Sequence, residues 1–449
     1  MHNPDIVAIV SEVLHSLTGV INESSPPFSY RNNEYALQLL NDAPVPLRNA
    51  ADIMINILGS SHLNIRSSFS TAHMVQSPSD ASLVGDIITS YLNQCSFIWE
   101  EAPASMELEQ SVLSWFLEIL SLQYTHQGLI TSGGTISNLI ALHLAKEKYP
   151  HRSLGKVRIL CTEDRHLSIE RAARIIGLSA SNIHCIPSGL SQDQSWCWRK
   201  FCDEIEDSGG VPVSVISTYG QTGSGQIEDL ELHKNIAERL GAWLHVDAAW
   251  GAGRFLKSMD FPYANILASA DSISWDPHKT MSVSYPAGVL LVKKSQNISS
   301  LSVPSTYALS EASRAQDTGH FHLEGSRPLT AIKLWLNIKV MGLEGFRSHA
   351  KQLHDIALFI YDEVVKSDGY VPYQLPHTNI VCFRPKSCRY FGDVSLFDIR
   401  QKLFATGRPY FSTAEIEGQE YFRMVITNPH TSVEQFQSML AELESFSSA

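Results

Sequence analysis

The segment Ser272-Ile273-Ser274-Trp275-Asp276-Pro277-His278-Lys279-Thr280 sets a lysine beside a histidine just after a short apolar run. A lysine at the mouth of a buried sheet is what Schiff-base chemistry needs, because desolvation or nearby positive charge frees its nitrogen lone pair. The plain alternative is a surface lysine on a loop. A second segment, Trp243-Leu244-His245-Val246-Asp247-Ala248-Ala249-Trp250-Gly251, ends an apolar run in an acid followed by two alanines. Such a carboxylate can ligate a metal, cap a helix or pair with a protonated ring nitrogen, and its small neighbours let a flat group approach.

Two more segments fall into the same pattern. In Thr131-Ser132-Gly133-Gly134-Thr135-Ile136-Ser137-Asn138, two glycines precede the helical run Leu139–Leu144. Backbone N–H groups at such a helix start, aided by the helix dipole, form a phosphate cradle. The turn matches neither GxGxxG nor GxxxxGK[ST], so dinucleotide and P-loop readings fail. Thr162-Glu163-Asp164-Arg165-His166-Leu167-Ser168 follows another apolar run. His166 there is either an ordinary loop histidine or part of a pocket shared with the other three segments.

The elements that must position these residues are short β-branched runs alternating with helical stretches. Val157–Cys161, Val213–Thr218, Trp243–Val246, Ser272–Trp275 and Val289–Val292 read as strands, with helices over Ser168–Leu178 and Asp229–Leu240. That alternation predicts a mostly parallel sheet covered on both faces, whose ligands sit at the carboxyl ends of strands. The His166, Asp247 and Lys279 segments each fall just after one of these runs. Upstream, Leu108, Val112, Trp115, Phe116, Ile119 and Leu120 recur at helical spacing. Downstream of about Lys339, a helical stretch Gly345–Lys366, strand runs Ile380–Phe383 and Tyr421–Ile426, and a terminal helix Ser432–Phe446 describe a smaller α+β unit. The first ~65 residues are polar and broken by Pro26-Pro27 and by Pro44 and Pro46, which reads as an arm packed on something larger.

Composition excludes several classes. The 449 residues are 44% hydrophobic and 18% charged, which is ordinary for a globular chain and not for a disordered one. A net charge of −12 argues against a duplex nucleic-acid binder. No apolar run is long enough to span a membrane, and Met1-His2-Asn3-Pro4-Asp5 is not a secretory leader, so a cytoplasmic location is expected. The seven cysteines include no CxxC pair, and no metal site is expected.

Taken in order, the glycine turn at 131–135, the His166 segment, His245-Val246-Asp247-Ala248-Ala249 and Asp276-Pro277-His278-Lys279 resemble the motifs of the pyridoxal-phosphate-dependent group II amino-acid decarboxylases. That family includes glutamate, cysteine-sulfinate, aromatic-amino-acid and diaminobutyrate decarboxylases. Trp99-Glu100-Glu101-Ala102-Pro103, Glu107-Leu108-Glu109, and Gly325-Ser326-Arg327 with Lys333-Leu334-Trp335 extend the likeness over roughly Met74 to Gly345. The resemblance implies an α/β protein of PLP-dependent fold type I (aspartate aminotransferase-like). Its parts would be an N-terminal arm over 1–70 that packs in a dimer, a large seven-stranded cofactor-binding domain over 71–340 and a small C-terminal domain over 341–449. It implies pyridoxal 5'-phosphate (PLP) as cofactor and a homodimer with shared active sites. By matching position, Lys279 would carry the cofactor as a Schiff base and Asp247 would pair with its ring nitrogen. His166 would stack on one ring face and Ala249 on the other. Ser132, Gly133, Gly134 and Thr135 would hold the phosphate, Thr222 would lie near the ring oxygen, and His278 would sit between cofactor and substrate.

The resemblance also bears on the reaction. Ser305-Thr306-Tyr307-Ala308-Leu309 resembles the family's mobile loop, whose tyrosine protonates the α-carbon after carbon dioxide leaves. Tyr307 in that place implies decarboxylation of an L-amino acid to the amine. Lys279, Tyr307, His166 and His278 would be the catalytic set. The alternatives are a carbon–carbon lyase, an aldehyde synthase or an aminotransferase with the same cofactor, and, more remotely, an inactive scaffold. The sequence departs from the family at Ser67–Met74, at Gln221 and at Ser326, and the first and last of these bear on substrate recognition. An acidic substrate would use Arg327 or Arg66, an aromatic one Phe69, Phe97 or Trp99, and a basic one Glu100, Glu101 or Asp317.

Overall fold

The apolar runs form strands because both faces of their sheet are covered. The computed structural model describes residues 6–21, 28–29, 44–60, 62–149, 153–187, 194–257, 264–296, 298–302, 317–386, 394–405 and 410–447. Its chain divides into two units, Pro78–Gln352 and Met1–Ser77 together with Leu353–Ala449.

In the unit Pro78–Gln352, the strands are β3 (His126–Thr131), β4 (Val157–Thr162), β5 (Ile183–Ile186), β6 (Val211–Thr218), β7 (Trp243–Asp247), β8 (Ser272–Trp275) and β9 (Gly288–Lys293). They form one sheet in the order β3-β9-β8-β7-β6-β4-β5, and β9 alone runs against its neighbours. Leu160, Val215, Val246, Ile273 and Leu291 are fully or almost fully buried in it. Burying each is worth about 1.5–3 kcal/mol, and this fixes the register that brings the strand ends into line. The carboxyl ends of β3, β4, β6, β7 and β8 therefore share one edge, and the antiparallel β9 starts from that same edge at Gly288.

Local signals place the loops. The helix Gly134–Glu147 follows β3 through Gly133, whose φ of 146° suits glycine. His166 is the N-cap of Leu167–Ile175, with its ring accepting from the Ser168 N–H. Asp229 caps Leu230–Leu240, which Gly241 ends with a φ of 63°. Strands β3 and β5 went unrecognised in the sequence, since His126–Thr131 is broken by Gly128 and Ile183–Ile186 is only four residues long.

The other unit has an antiparallel sheet in the order β10-β11-β13-β12, made of Tyr370–Pro372, Ile380–Pro385, Gln419–Val425 and Ser412–Ile416. Its core includes Phe383, Phe411, Phe422 and Phe436. A two-stranded ribbon pairs β1 (Phe28–Ser29) with β2 (His62–Leu63). Helices span Ile6–Val20 and Leu47–Ser60; Pro44 and Pro46 stand just ahead of the second, outside both. The helix Thr330–Lys366 is interrupted at Gly342, where φ is 62°. Among the described residues, no helix is long and apolar enough to cross a membrane.

Candidate active site

The end of β8 delivers the lysine. Asp276 is the N-cap of the short helix Pro277–Thr280, with proline at its first position where no N–H is needed. One turn on, Lys279 Nζ reaches back to within 2.9 Å of Asp276 Oδ2. Burial pulls the ammonium pKa down, but the carboxylates of Asp276 and Asp247 outweigh it, and the net shift is upward. Asp276 is almost wholly buried, and among the described residues its Oδ1 has no hydrogen-bond partner. His278 Nδ1 rests on the Ala287 backbone at the start of β9, and its ring lies 4.2 Å from that of Tyr285. Burial holds His278 below the usual imidazole value.

The neighbouring strand β7 ends in Asp247, buried, with a full set of donors. Asn138 Nδ2 donates to Oδ2 at 2.8 Å, while Ser274 Oγ at 3.1 Å and the Ala249 N–H at 3.2 Å donate to Oδ1. Burial pushes this carboxyl up; the imidazoles of His245 and His166, charged at the acid pH where the carboxyl would titrate, together with the Asn138 amide and Lys279, outweigh that and hold it below the ordinary value. Asp247 is thus an anion at neutral pH.

The glycine turn lies against both strands. A Cβ on Gly134 would come within 3.0 Å of Ala249 Cβ and 3.1 Å of Asp276 Oδ2. One on Gly288 would lie 2.5 Å from Gly133 Cα. Only glycine leaves this corner open. The Gly133 carbonyl takes the N–H groups of Ile136 and Ser137, so those of Gly134 and Thr135 have no intrahelical partner. Gly133 and Gly134 are buried, Ser132 is half-buried and Thr135 is exposed.

His166, half-buried at the end of the loop after β4, experiences the charges of Asp247, Lys279 and Asp276, while burial holds its pKa down. Its Nδ1 meets both the Ser168 hydroxyl at 2.7 Å and the Ser168 N–H at 3.2 Å. Asn138, Ser168, His245 and Ser274 join this site without having been singled out in the sequence. The available signal was modest: polar side chains buried where a helix and strands should present apolar ones.

Other expected residues lie differently. Arg327 is buried, and its guanidinium donates to both Glu109 oxygens at 3.0 and 3.1 Å, to the carbonyls of Ser96 and Ile130, and to Thr318 Oγ1. Its donors are committed to the protein interior. Trp99 sits on a single turn of helix, Trp99–Glu101, and its N–H donates to Asp317 Oδ1 at 2.8 Å. Phe69 belongs to the other unit, where its carbonyl accepts from the Tyr410 N–H. Thr222 is exposed in the loop after β6. Tyr307 lies outside the described residues.

Beside that loop is a buried acid, Glu228, whose oxygens accept from Thr162 Oγ1, the Thr218 N–H and Gln221 Nε2. Burial outweighs those donors and raises its pKa to about 7.

The residues fit the cofactor that the sequence resemblance implies. A flat, phosphorylated, cationic-ring aldehyde needs a lysine, an anion for the ring nitrogen and a helix start for the phosphate. Lys279, the ionised Asp247 and the open glycine corner, with the buried Asp276 oxygens facing it, meet those needs.

A family model described as the pyridoxal-dependent decarboxylase conserved domain matches residues 36–386. The chain is 27% identical to the acidic amino acid decarboxylase of Mus musculus, over 81% of this chain and 70% of that protein. It is 26% identical to the cysteine sulfinic acid decarboxylase of Homo sapiens, over 97% and 93% respectively. Among solved structures, Oryza sativa TDC with PLP and tryptamine superposes with a TM-score of 0.90 at 20% identity, covering 100% of this chain and 99% of that one; at that identity the likeness is one of fold.

Proposed function

The chain belongs to the pyridoxal-dependent decarboxylase family and is a PLP-dependent amino-acid decarboxylase; on that premise we propose how its own residues divide the work. Lys279 carries the cofactor, Asp247 faces the ring nitrogen, and His166 and Ala249 lie on opposite ring faces. The turn Ser132–Thr135 holds the phosphate, Thr222 lies near the ring oxygen, and His278 lies on the substrate side. When bound, the cofactor supplies an electron sink for the pair released as the carboxylate leaves.

The observation that carries this reading is the Asp247 environment: three donors and a net downward pKa shift keep a buried carboxylate charged, as a group facing a protonated ring must be. Lys279, held as an ammonium by Asp276, has to lose a proton before its nitrogen can attack an aldehyde, and Asp276 is the nearest acceptor. His166 keeps its Nδ1 on Ser168, leaving Nε2 for the pocket. Tyr307 is the proposed proton donor to the α-carbon, by its likeness to the family's loop tyrosine. A homodimer with shared sites and a cytoplasmic location belong to the same proposal and rest on that resemblance.

The test is a screen of acidic, aromatic and basic amino acids for carbon dioxide and amine release by the PLP-loaded enzyme, beside the Lys279→Ala variant. Wild-type turnover of one class, with loss of turnover and of the protein-bound cofactor absorption in Lys279→Ala, is expected. Aldehyde, ammonia or a keto acid in place of amine would move the assignment to one of the alternative reactions on this cofactor.

A further inference from the structure

Beneath Asp247 a chain of buried polar groups runs Trp243–Ser272–His245–Asn138, then branches to Asp247 and, through Ser168, to His166. Trp243 Nε1 lies 2.7 Å from Ser272 Oγ, which lies 2.7 Å from His245 Nδ1. His245 Nε2 lies 2.9 Å from Asn138 Oδ1. Asn138 Nδ2 lies 2.8 Å from Asp247 Oδ2 and 2.8 Å from Ser168 Oγ. Trp243, Ser272, His245 and Asn138 are each 0–1% exposed. Water cannot rescue a mismatched donor at that depth, so the polarity of every link matters.

Three ends of the chain cannot reverse. An indole N–H only donates, an ionised carboxylate only accepts, and the Ser168 backbone N–H that meets His166 Nδ1 only donates. From the Asp247 end, Asn138 must present its NH2 group, so its carbonyl faces His245 and His245 Nε2 must carry a proton. From the other end, Ser272 Oγ accepts from Trp243 and has its own proton to give to His245 Nδ1. The Asp247 end requires this neutral tautomer, and the Ser272 hydroxyl, which can donate to a bare Nδ1, accommodates it. On the second branch Asn138 donates to Ser168 Oγ, whose proton goes to His166 Nδ1, the same atom the backbone N–H addresses. The proton of a neutral His166 therefore resides on Nε2.

We propose that His245 is a positioning residue for the decarboxylation: as the Nε2–H tautomer it locks the Asn138 amide in the one orientation that serves Asp247 and, through Ser168, sets the tautomer of His166. Burial lowers the pKa of His245 to about 4, which keeps it neutral across the working range. Were the amide to turn over, its carbonyl would face the Asp247 carboxylate, two acceptors in contact. Asp247 would then lose a donor and gain affinity for a proton. The catalytic consequence rests on the reading above that Asp247 faces the cofactor ring; the hydrogen-bond polarity does not.

The experiment is nitrogen-15 NMR of histidine-labelled protein, with and without PLP. In the wild type, His245 and His166 should each show a protonated Nε2 and a bare Nδ1 at neutral pH. His245→Gln keeps an N–H for Asn138 and a carbonyl for Ser272, and should preserve the His166 tautomer and the cofactor absorption spectrum. His245→Leu should mix the His166 tautomers and lower kcat by roughly tenfold, the worth of one buried hydrogen bond to a charged group, with KM little changed. A wild-type His245 protonated on Nδ1, or on both nitrogens, overturns the proposal without any variant. So does a folded His245→Leu enzyme with the wild-type His166 tautomer and kcat. Tautomers read in cofactor-free protein test the network alone, whereas Lys279→Ala tests the placement of the cofactor, so the two failures are distinct.

Discussion

Lys279 Nζ and Asp276 Oδ2 are 2.9 Å apart, three residues along one turn, so the nucleophile and the acid that keeps it protonated are a single local unit. Lys279 titrates above the ordinary lysine value, and only its neutral form attacks an aldehyde. Capture of PLP by cofactor-free enzyme should therefore speed up as pH rises. In Asp276→Asn burial acts on Lys279 with less opposition, and the profile should move to lower pH. Stopped-flow absorbance on mixing with PLP reads this; superimposable profiles would count against the pairing.

Arg327 and Glu109 form a buried pair with bidentate contact. Burial raises the Glu109 carboxyl, but Arg327 and His322 outweigh it, and its pKa is lowered overall. A depressed folded-state pKa gives stability that is present above the unfolded value and is lost as pH falls through the folded one. Arg327→Ala should cost about 3–5 kcal/mol in urea unfolding, because it strands a buried carboxylate. If the variant instead keeps its stability and raises KM alone, Arg327 contacts substrate.

Glu228 carries the opposite sign. Its pKa rises to about 7 in the folded chain from the ordinary 4.5 of a solvated glutamate. The native state then binds the extra proton between those values, so stability is greatest at the acidic end of that window and falls as pH climbs through about 7. Glu228→Gln should remove this slope and gain up to about 3.5 kcal/mol above neutrality, at about 1.4 kcal/mol per pH unit. Urea titrations at a series of pH values would test it, and parallel curves for the two proteins would refute it.

Cys161 and Cys185 face each other across β4 and β5, with sulfurs 3.6 Å apart. Once Cys185 ionises, the Cys161 thiol can only donate to it, and this draws the Cys185 pKa down to about 7, with Arg165 assisting. The Cys161 thiol is pushed up, first by that hydrogen bond and then by burial. Iodoacetamide should label Cys185 ahead of Cys161, with a rate that rises through pH 7. Peptide mapping decides the order, and preferential labelling of Cys161 would contradict it.

Five of the seven strands were legible because they are continuous apolar runs, and Lys279, Asp247 and His166 because each follows one of those runs closely, whereas β3, broken by Gly128, and the four-residue β5 were not. Lys279, Asp247 and His166 do meet at a single edge. What composition and spacing do not reveal is which polar residues serve as partners. Asn138 reads as one polar position in a helical run, and its bond to Asp247 spans 109 residues. Arg327 is chemically suited to a carboxylate substrate, yet a carboxylate 218 residues earlier already occupies it. Only the folded backbone brings such pairs together.

The reversed direction of β9 has a consequence for how the protein is made. His278 leans on Ala287 and the Gly133 turn packs on Gly288, so the pocket is closed by the last strand of its sheet to leave the ribosome. A nascent chain paused short of that strand lacks this side of the pocket, and a contact as remote in sequence as that of Gly133 with Gly288 forms slowly. Vitamin capture should therefore begin only after β9 has emerged, making translation through this stretch the gate to a loaded enzyme.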